Sequence, residues 1–425
     1  MAQGTGTGNV LANRPFLALW IAQVLSQTAQ NAIIFALLVL IEERHGSTLY
    51  VSMMILSAIL PAVFFGIAAG VVVDHVHKKA VLVTTNLLRA IACLGFVLVS
   101  GSTSLLYAVN FVFATISQFF APAETAAIPQ LVKRSQLLAA NGLFSLTFSG
   151  AQVLGFVIVG PPLVKLAGPE GTFAAIGGIY LVAGLLVSLL PRAEPPQRPL
   201  SGIDRSALWS ELGRDVREGW RLLSGDRAIS LAMVQLTAMG SLILVLGVLA
   251  PAYVKRVLEV RADDAVLILA PAAVGILLGT SVMPRLSQRV AKQALANWGL
   301  GGLGLMLLLL AVAGELVPIT RDRSGLVALI MSSAFLIGLS FSFTQVPAQT
   351  ILQERTPGDL RGRVFATQLT MAFVVSVVPL IFVGGLADLL GVGRTLLLMA
   401  GFVLLLCLYS LAQTRKLLPN LPLDA

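Results

Sequence analysis

The chain carries little charge for its length. Only 12% of its 425 residues are Asp, Glu, Lys or Arg, against roughly 25% in a soluble domain, which argues against water as its main solvent. Cysteine is scarce: Cys93 and Cys407 each lie in an apolar run without a Cys or His partner, so neither a disulfide nor a thiolate metal site is expected. The three histidines, His45, His75 and His77, lack the spacing that sets two metal ligands on one helix face. No Gly-x-x-x-x-Gly-Lys-Ser/Thr loop is there to cradle ATP phosphates, which argues against a primary pump. No acid, base and metal ligands cluster at one depth as an enzyme would need, and no cofactor is expected. Residues 1–13 are Gly- and Thr-rich without a basic start or cleavage site, and read as a short tail rather than a signal peptide.

What the chain has is apolar length. Hydrophobic residues make up 57% and mean hydropathy is +0.90. Stretches free of Asp, Glu, Lys and Arg run over 15–41, 46–73, 90–123, 135–164, 171–191, 228–254, 265–284, 293–314, 324–353, 364–387 and 395–414. The third holds one helix and most of another, because Gly101-Ser102-Thr103-Ser104 is a turn signal and the apolar run before it starts at Ala80. Twelve helices result, each near the roughly 20 residues that cross a bilayer. In lipid every backbone group must be satisfied within its own segment, which favours helices throughout. With the N-terminus inside, 20 of the 29 basic residues fall in inner loops and tails and 8 in outer loops. That bias places both termini in the cytoplasm, in what is expected to be a bacterial inner or plasma membrane. It also accounts for the net charge of +9 through anionic headgroups, and no basic-aromatic stripe suggests nucleic acid.

Residues 192–227 form the one long polar segment and divide the chain into a bundle over 1–191 and another over 228–425. Within it Leu208, Leu212, Val216, Trp220 and Leu223 recur at helical spacing opposite Glu211, Arg214, Arg217, Glu218 and Arg221, the pattern of an amphipathic helix on the membrane face. The halves echo each other. Ser117-Gln-Phe-Phe-Ala-Pro-Ala-Glu-Thr125 aligns with Ser342-Phe-Thr-Gln-Val-Pro-Ala-Gln-Thr350, and Gly66-x-x-x-Gly70 in helix 2 has a counterpart in Gly275-x-x-x-Gly279 of helix 8. Weak internal symmetry of this kind marks transporters built from repeats. The expected fold is therefore an all-α membrane protein with twelve transmembrane helices in two pseudo-symmetric six-helix bundles.

Gly70-Val-Val-Val-Asp74-His-Val-His-Lys78-Lys79 resembles the loop between helices 2 and 3 of the major facilitator superfamily, with His75 where arginine is usual and His77 where glycine is usual. The resemblance runs through the chain and is nearest to macrolide-efflux-like exporters and the lysophospholipid-transporter group. It is carried also by Gln23-Val-Leu-Ser-Gln-Thr-Ala-Gln-Asn-Ala-Ile-Ile-Phe-Ala36, Asn86-Leu-Leu-Arg89, Pro122-Ala-Glu-Thr-Ala-Ala-Ile-Pro129, Leu138-Ala-Ala-Asn-Gly142 and Pro347-Ala-Gln-Thr-Ile-Leu-Gln-Glu-Arg355. Where both groups commonly have an aspartate in helix 1, this chain has Gln30. The resemblance implies that helices 1, 4, 7 and 10 line a central cavity.

Gating residues follow from electrostatics. Gly66 and Gly70 allow a close helix approach. Asp74 at the C-terminal end of helix 2 is disfavoured by that helix's dipole and needs a cation or a helix N-terminus; Lys78, Lys79, Arg361 and Arg363 are the candidates. Helix 1 presents Gln23, Gln27, Gln30 and Asn31 as a polar stripe, and Asn110, Gln118, Gln235, Gln345 and Gln349 join it on helices 4, 7 and 10, with Phe343 adding apolar surface. Cavity lining and inter-helix hydrogen bonding compete as readings of each amide. Arg89 and Glu124 are the two charges set well inside the membrane region, at similar depth, and are expected to meet. A structural ion pair is one reading, and proton uptake by Glu124 the sharper one.

The function that fits is a secondary transporter exporting amphipathic or hydrophobic small molecules by alternating access, with the lipid bilayer as its environment, protons as the candidate coupling ion and a monomer as its expected state. A lysophospholipid flippase is the alternative, which the sparse cavity charge argues against. A non-transporting receptor or sensor would need a larger soluble domain than 192–227. In a background lacking Cys93 and Cys407, single cysteines replacing Ser201 and Ser324 should react with an impermeant thiol reagent from opposite sides of the membrane. Labelling from one side would overturn the helix count.

Overall fold

The protein was described as a computed structural model, over residues 10–191, 226–258, 266–316, 323–356 and 361–417. The amphipathic segment read within 192–227 therefore lies outside the described residues up to position 225, as do the side chains of Asp74, Arg361 and Arg363. Among the described residues there is no strand. The helices are α1 (Arg14–His45), α2 (Thr48–Asp74), α3 (Lys78–Leu98), α4 (Thr103–Leu131), α5 (Leu137–Val153), α6 (Gly160–Ser188), α7 (Arg227–Arg256), α8 (Val266–Leu286), α9 (Lys292–Leu316), α10 (Arg323–Arg355), α11 (Arg361–Leu390) and α12 (Val392–Leu417).

Between α5 and α6 the chain passes through a π-helical stretch, Leu154–Val159, without turning back. The reversal comes inside α6, at Gly168, whose φ of 70° and ψ of 175° end one span. Only glycine takes that conformation without strain, and Pro169 then opens the next span at a first-turn position where its missing N–H costs nothing. The apolar stretch 139–188 thus holds two crossings, and the other ten long apolar helices bring the described total to twelve. Many large side chains point outward, Leu98 at 85% and Leu189 at 75% exposure among them. An apolar exterior of this extent is a lipid-facing surface.

The chain separates into two compact units, Met1–Arg44 with Met53–Ile203, and His45–Ser52 with Asp204–Ala425. Each is built on the same joints. In the first, α3 packs on α4 and α6; in the second, α9 packs on α10 and α12. The residue before the first helix caps it in both cases. Asn13 Oδ1 accepts from the Phe16 N–H at 3.4 Å, while its Nδ2 donates to the carbonyl of Leu131, the last residue of α4, at 2.6 Å. Asp226 Oδ1 accepts from the Ala228 N–H at 2.7 Å, and its other oxygen takes a bond from Arg355, the last residue of α10, at 3.3 Å. One side chain thereby satisfies an orphan donor of the first helix and ties it to the end of the fourth.

The glycine pairs behave differently in the two units. On α8, Gly275 meets the backbone of α10, where a Cβ would sit 2.8 Å from the Leu339 nitrogen, and Gly338 of α10 returns the contact, 2.7 Å from the Ala272 carbonyl carbon. On α2 a Cβ at Gly66 would reach only Gln118 Oε1 at 3.9 Å, and one at Gly70 would meet open space. Gly338→Ala should therefore destabilise the protein by about 1–3 kcal/mol through overpacking, read as a lower apparent Tm in detergent, whereas Gly70→Ala should leave the Tm unchanged.

Candidate functional site

The buried charges organise the interior of the first unit. On α3 the buried positions are Leu82, Thr85, Asn86, Arg89, Ala90, Ala92, Cys93 and Phe96, with Leu87, Leu88, Ile91 and Leu94 exposed. That three-and-four spacing sets Arg89 on the inner face of the helix. Eleven residues beyond Lys78, it stands about 16 Å along the helix axis from that end. Its residual exposure is 1%, so the guanidinium must find partners in protein.

Those partners lie on two other helices. Arg89 Nε donates to Ser117 Oγ at 3.1 Å, and a terminal nitrogen to the Ser117 carbonyl at 3.4 Å. The Ser117 hydroxyl can accept because its own proton goes to the Phe113 carbonyl at 2.9 Å. The guanidinium carbon lies 4.4 Å from the Phe120 ring centre and 5.5 Å from that of Tyr180 on α6. Tyr180 is fixed in turn by its hydroxyl, which donates to the Ser26 carbonyl of α1 at 3.3 Å. One turn before Arg89, Asn86 Oδ1 accepts from Ser26 Oγ at 2.9 Å. Four helices, α1, α3, α4 and α6, thus converge around one cation, and on the same helices Phe96 packs at a tilt against Phe113 and Phe173.

Glu124 is 3% exposed and stands one turn beyond Phe120 on α4. The helix runs unbroken through Pro122 and Pro129. The expected direct ion pair with Arg89 does not form. Both hydrogen bonds from the guanidinium run to Ser117, and Glu124 Oε1 is buried without a hydrogen-bond partner in the protein. The reason is spacing: Ser117, Phe120 and Glu124 follow one another on the same face of α4, and the first two intercept the guanidinium. The two groups remain within each other's electrostatic field. Sequence alone marks Phe120 as apolar surface near this depth and gives no role to Ser117 or Tyr180, although the i, i+3, i+7 spacing of Ser117, Phe120 and Glu124 sets the three on one face of α4.

Several expected cavity amides turn out to be helix joints. Asn110 is buried and donates to the Met54 carbonyl at 3.1 Å and Ser57 Oγ at 2.8 Å on α2. Gln235, fully buried, donates to Ser410 Oγ on α12 at 2.9 Å. Gln23 donates to the Phe144 carbonyl of α5 at 3.4 Å, and Asn31 to the Gln27 carbonyl at 2.8 Å and the Ala151 carbonyl at 3.4 Å. For these four the hydrogen-bonding reading gains support over cavity lining: inside an apolar bundle an amide takes the nearest carbonyl or hydroxyl. Gln27, Gln30, Gln118, Phe343, Gln345 and Gln349 stay half-buried, and Gln345 Oε1 has no partner in the protein. Of the expected gating cations, Lys79 bonds the Leu190 carbonyl at the end of α6, and Lys78 the Val76 carbonyl at 3.4 Å. An open recess of about 570 Å³ lies beside Asn13, Gln130 and Lys133, away from Arg89 and Glu124.

The arrangement makes a specific thermodynamic claim. In a double-mutant cycle of Arg89→Met and Glu124→Gln, read as unfolding free energy in detergent, the coupling should not exceed about 1 kcal/mol, whereas breaking a directly bonded buried pair costs about 3–5 kcal/mol. Coupling in the higher range would mean that the two groups touch.

Comparison with known proteins agrees with this architecture. The chain is 26% identical over 407 residues to "Multidrug efflux pump Tap" of Mycolicibacterium fortuitum, covering 92% of this chain and 94% of that one. It is 22% identical over 396 residues to "Uncharacterized MFS-type transporter YfiS" of Bacillus subtilis, covering 88% of each. Its fold superposes on the crystal structure of the nucleoside transporter NupG with a TM-score of 0.71 at 14% identity, over 94% of this chain and 99% of that one. The family profile described as Major Facilitator Superfamily matches residues 19–379. With twelve spans in two matching sets of six, the chain belongs to the Major Facilitator Superfamily and is a multi-pass membrane transporter.

Proposed function

We propose that this transporter exports amphipathic or hydrophobic small molecules by alternating access of its two six-helix halves, and that a proton taken up and released by Glu124 drives the cycle. The observation that carries the proton step is the buried Glu124 carboxyl with one oxygen unpartnered, beside an arginine whose hydrogen bonds are committed to Ser117. A permanently charged carboxylate in that place would be left without a direct bond in low dielectric, which costs several kcal/mol. A carboxyl that changes protonation state avoids keeping that cost through the whole cycle. Gln349, its counterpart in the repeat, cannot titrate.

The substrate class rests on neutral, partly accessible amides. Gln27, Gln30, Gln118, Gln345 and Gln349 together with Phe343 offer hydrogen bonds and apolar surface with no fixed charge, which suits large uncharged or amphipathic molecules better than phosphorylated ones. Similarity to an efflux pump supports the outward direction. The inner-loop excess of Lys and Arg supports cytoplasmic termini and a bacterial inner membrane location. Asp74 with Arg361 and Arg363 remains the proposed inner gate, with Gly66 and Gly70 giving α2 room to move, and a monomer the proposed working unit.

Glu124→Gln in proteoliposomes separates the proton role from a structural one. The variant should keep downhill exchange of a lipophilic cationic dye near the parent rate while transport driven by an imposed pH gradient falls on the order of tenfold or more. Unchanged pH-driven transport would remove Glu124 from the coupling mechanism.

A further inference from the structure

Asp388 stands in the last turn of α11, where the negative end of the helix dipole disfavours a carboxylate that has no donors. It has four. Ser47 Oγ donates to it at 2.6 Å, the Thr48 and Leu49 backbone N–H groups at 2.8 and 3.0 Å, and the Arg256 guanidinium at 2.9 Å. The two N–H groups are among the orphan donors at the start of α2. A carboxylate from α11 therefore caps α2, the place usually filled by a residue of the helix's own entry loop.

Steric fit brings the same surfaces together. One turn back from Asp388, Gly384 lies so near the first turn of α2 that a Cβ there would be 2.9 Å from Ser52 Cβ and 3.0 Å from Leu49 Cα. As a consequence α2 is shared: its first turn groups with the second unit, and from Met53 onward it belongs to the first. Opposing these attractions, Thr48 Oγ1 and Ser52 Oγ are buried in the contact with no hydrogen-bond partner in the protein. Leaving hydroxyls unbonded costs free energy that exposure to water would restore. Charge-assisted bonds hold the contact shut while stranded hydroxyls favour opening, the balance expected of a joint that must let go rather than of permanent packing.

We propose that Asp388 is a releasable latch, with Arg256 and Gly384 as its positioning residues, which holds the first turn of α2 on the end of α11 and frees it during the transport cycle. The site is roughly 40 Å along α2 from Asp74, so it governs the opposite end of that helix from the proposed inner gate. The proposal rests on the transport reading only for when the latch releases. Whether it holds α2 can be measured without substrate or proton gradient.

The test uses membrane vesicles and a hydrophilic impermeant maleimide, with Cys93 and Cys407 replaced by serine. The reporter is Ser52→Cys, fully buried in the contact, and the open reference is Ser104→Cys, which is exposed. The reporter should label much more slowly than the reference. Adding Asp388→Ala should raise its rate on the order of tenfold, because charged hydrogen bonds are lost; Asp388→Asn, which keeps an acceptor, should raise it less. Gly384→Ala should raise it by pushing the helices apart with every charge intact. If Asp388→Ala does not reach the membrane, Asp388→Asn and Gly384→Ala decide the matter. Labelling that stays at the parent rate in every Asp388 and Gly384 variant recovered overturns the latch, as does a parent reporter that already labels like Ser104→Cys. Failure here leaves the Glu124 experiment unaffected, since the two share no residue and no readout.

Discussion

A polar group inside this protein has to be satisfied by the protein, and Arg89 is where that constraint acts most strongly. Its guanidinium is nearly inaccessible, and moving such a cation out of water costs several kcal/mol before any partner is counted. Two hydrogen bonds to Ser117 and the faces of Phe120 and Tyr180 meet part of that cost, a desolvated cation over an aromatic ring being worth about 2 kcal/mol. The demand spreads outward. Tyr180 must be oriented, so its hydroxyl is tied to α1. The Ser117 hydroxyl must present a lone pair, so its proton is directed to its own helix. Packing of α1, α3, α4 and α6 in this region follows from placing one charge.

The same constraint explains which parts of the molecule could be read from sequence. Helices follow from charge-free length, because a backbone in lipid has no alternative partner, and the stretches from 15–41 to 395–414 each correspond to a span, except 90–123, which is divided between α3 and α4. The direction an amide faces does not follow. Gln235 and Gln345 occupy equivalent-looking polar positions in apolar helices, yet one bonds Ser410 inside the bundle and the other is half-buried. Composition gives both the same appearance, since a carbonyl across a helix interface and a water in a cavity satisfy an amide equally well. The burial of Arg89 and Glu124 was legible but their pairing was not. Depth is set by distance along a helix, whereas pairing depends on what else shares the face, here Ser117 and Phe120.

Asp388 is subject to the same electrostatics as Asp74: an acid in the last turn of α11 is disfavoured by the helix dipole just as one at the end of α2 is. Its partner could not be named, because a donor set made of two backbone N–H groups has no side-chain signature. Backbone donors at a helix start are found by geometry alone.

The two units share a scaffold and differ in what they place within it. Asn13 and Asp226 make the same joint between first and fourth helices, and Asn86 and Asn297 each tie the third helix to a neighbour through a serine, Ser26 in one unit and Ser410 in the other. In the second unit the buried joint continues through neutral groups, from Gln235 to Ser410 to Asn297 to Thr414. None of these can gain or lose a proton near neutral pH, so that network has one electrostatic state. In the first unit the comparable region holds a fixed cation and an acid with an open oxygen, which has two. Duplication of a six-helix unit supplies matching joints, and symmetry alone would give both halves the same response. A cycle driven by a single ion needs one half to change state while the other serves as a fixed counterpart, and on the proposed reading the placement of Arg89 and Glu124 in the first unit alone is how this chain breaks its own symmetry.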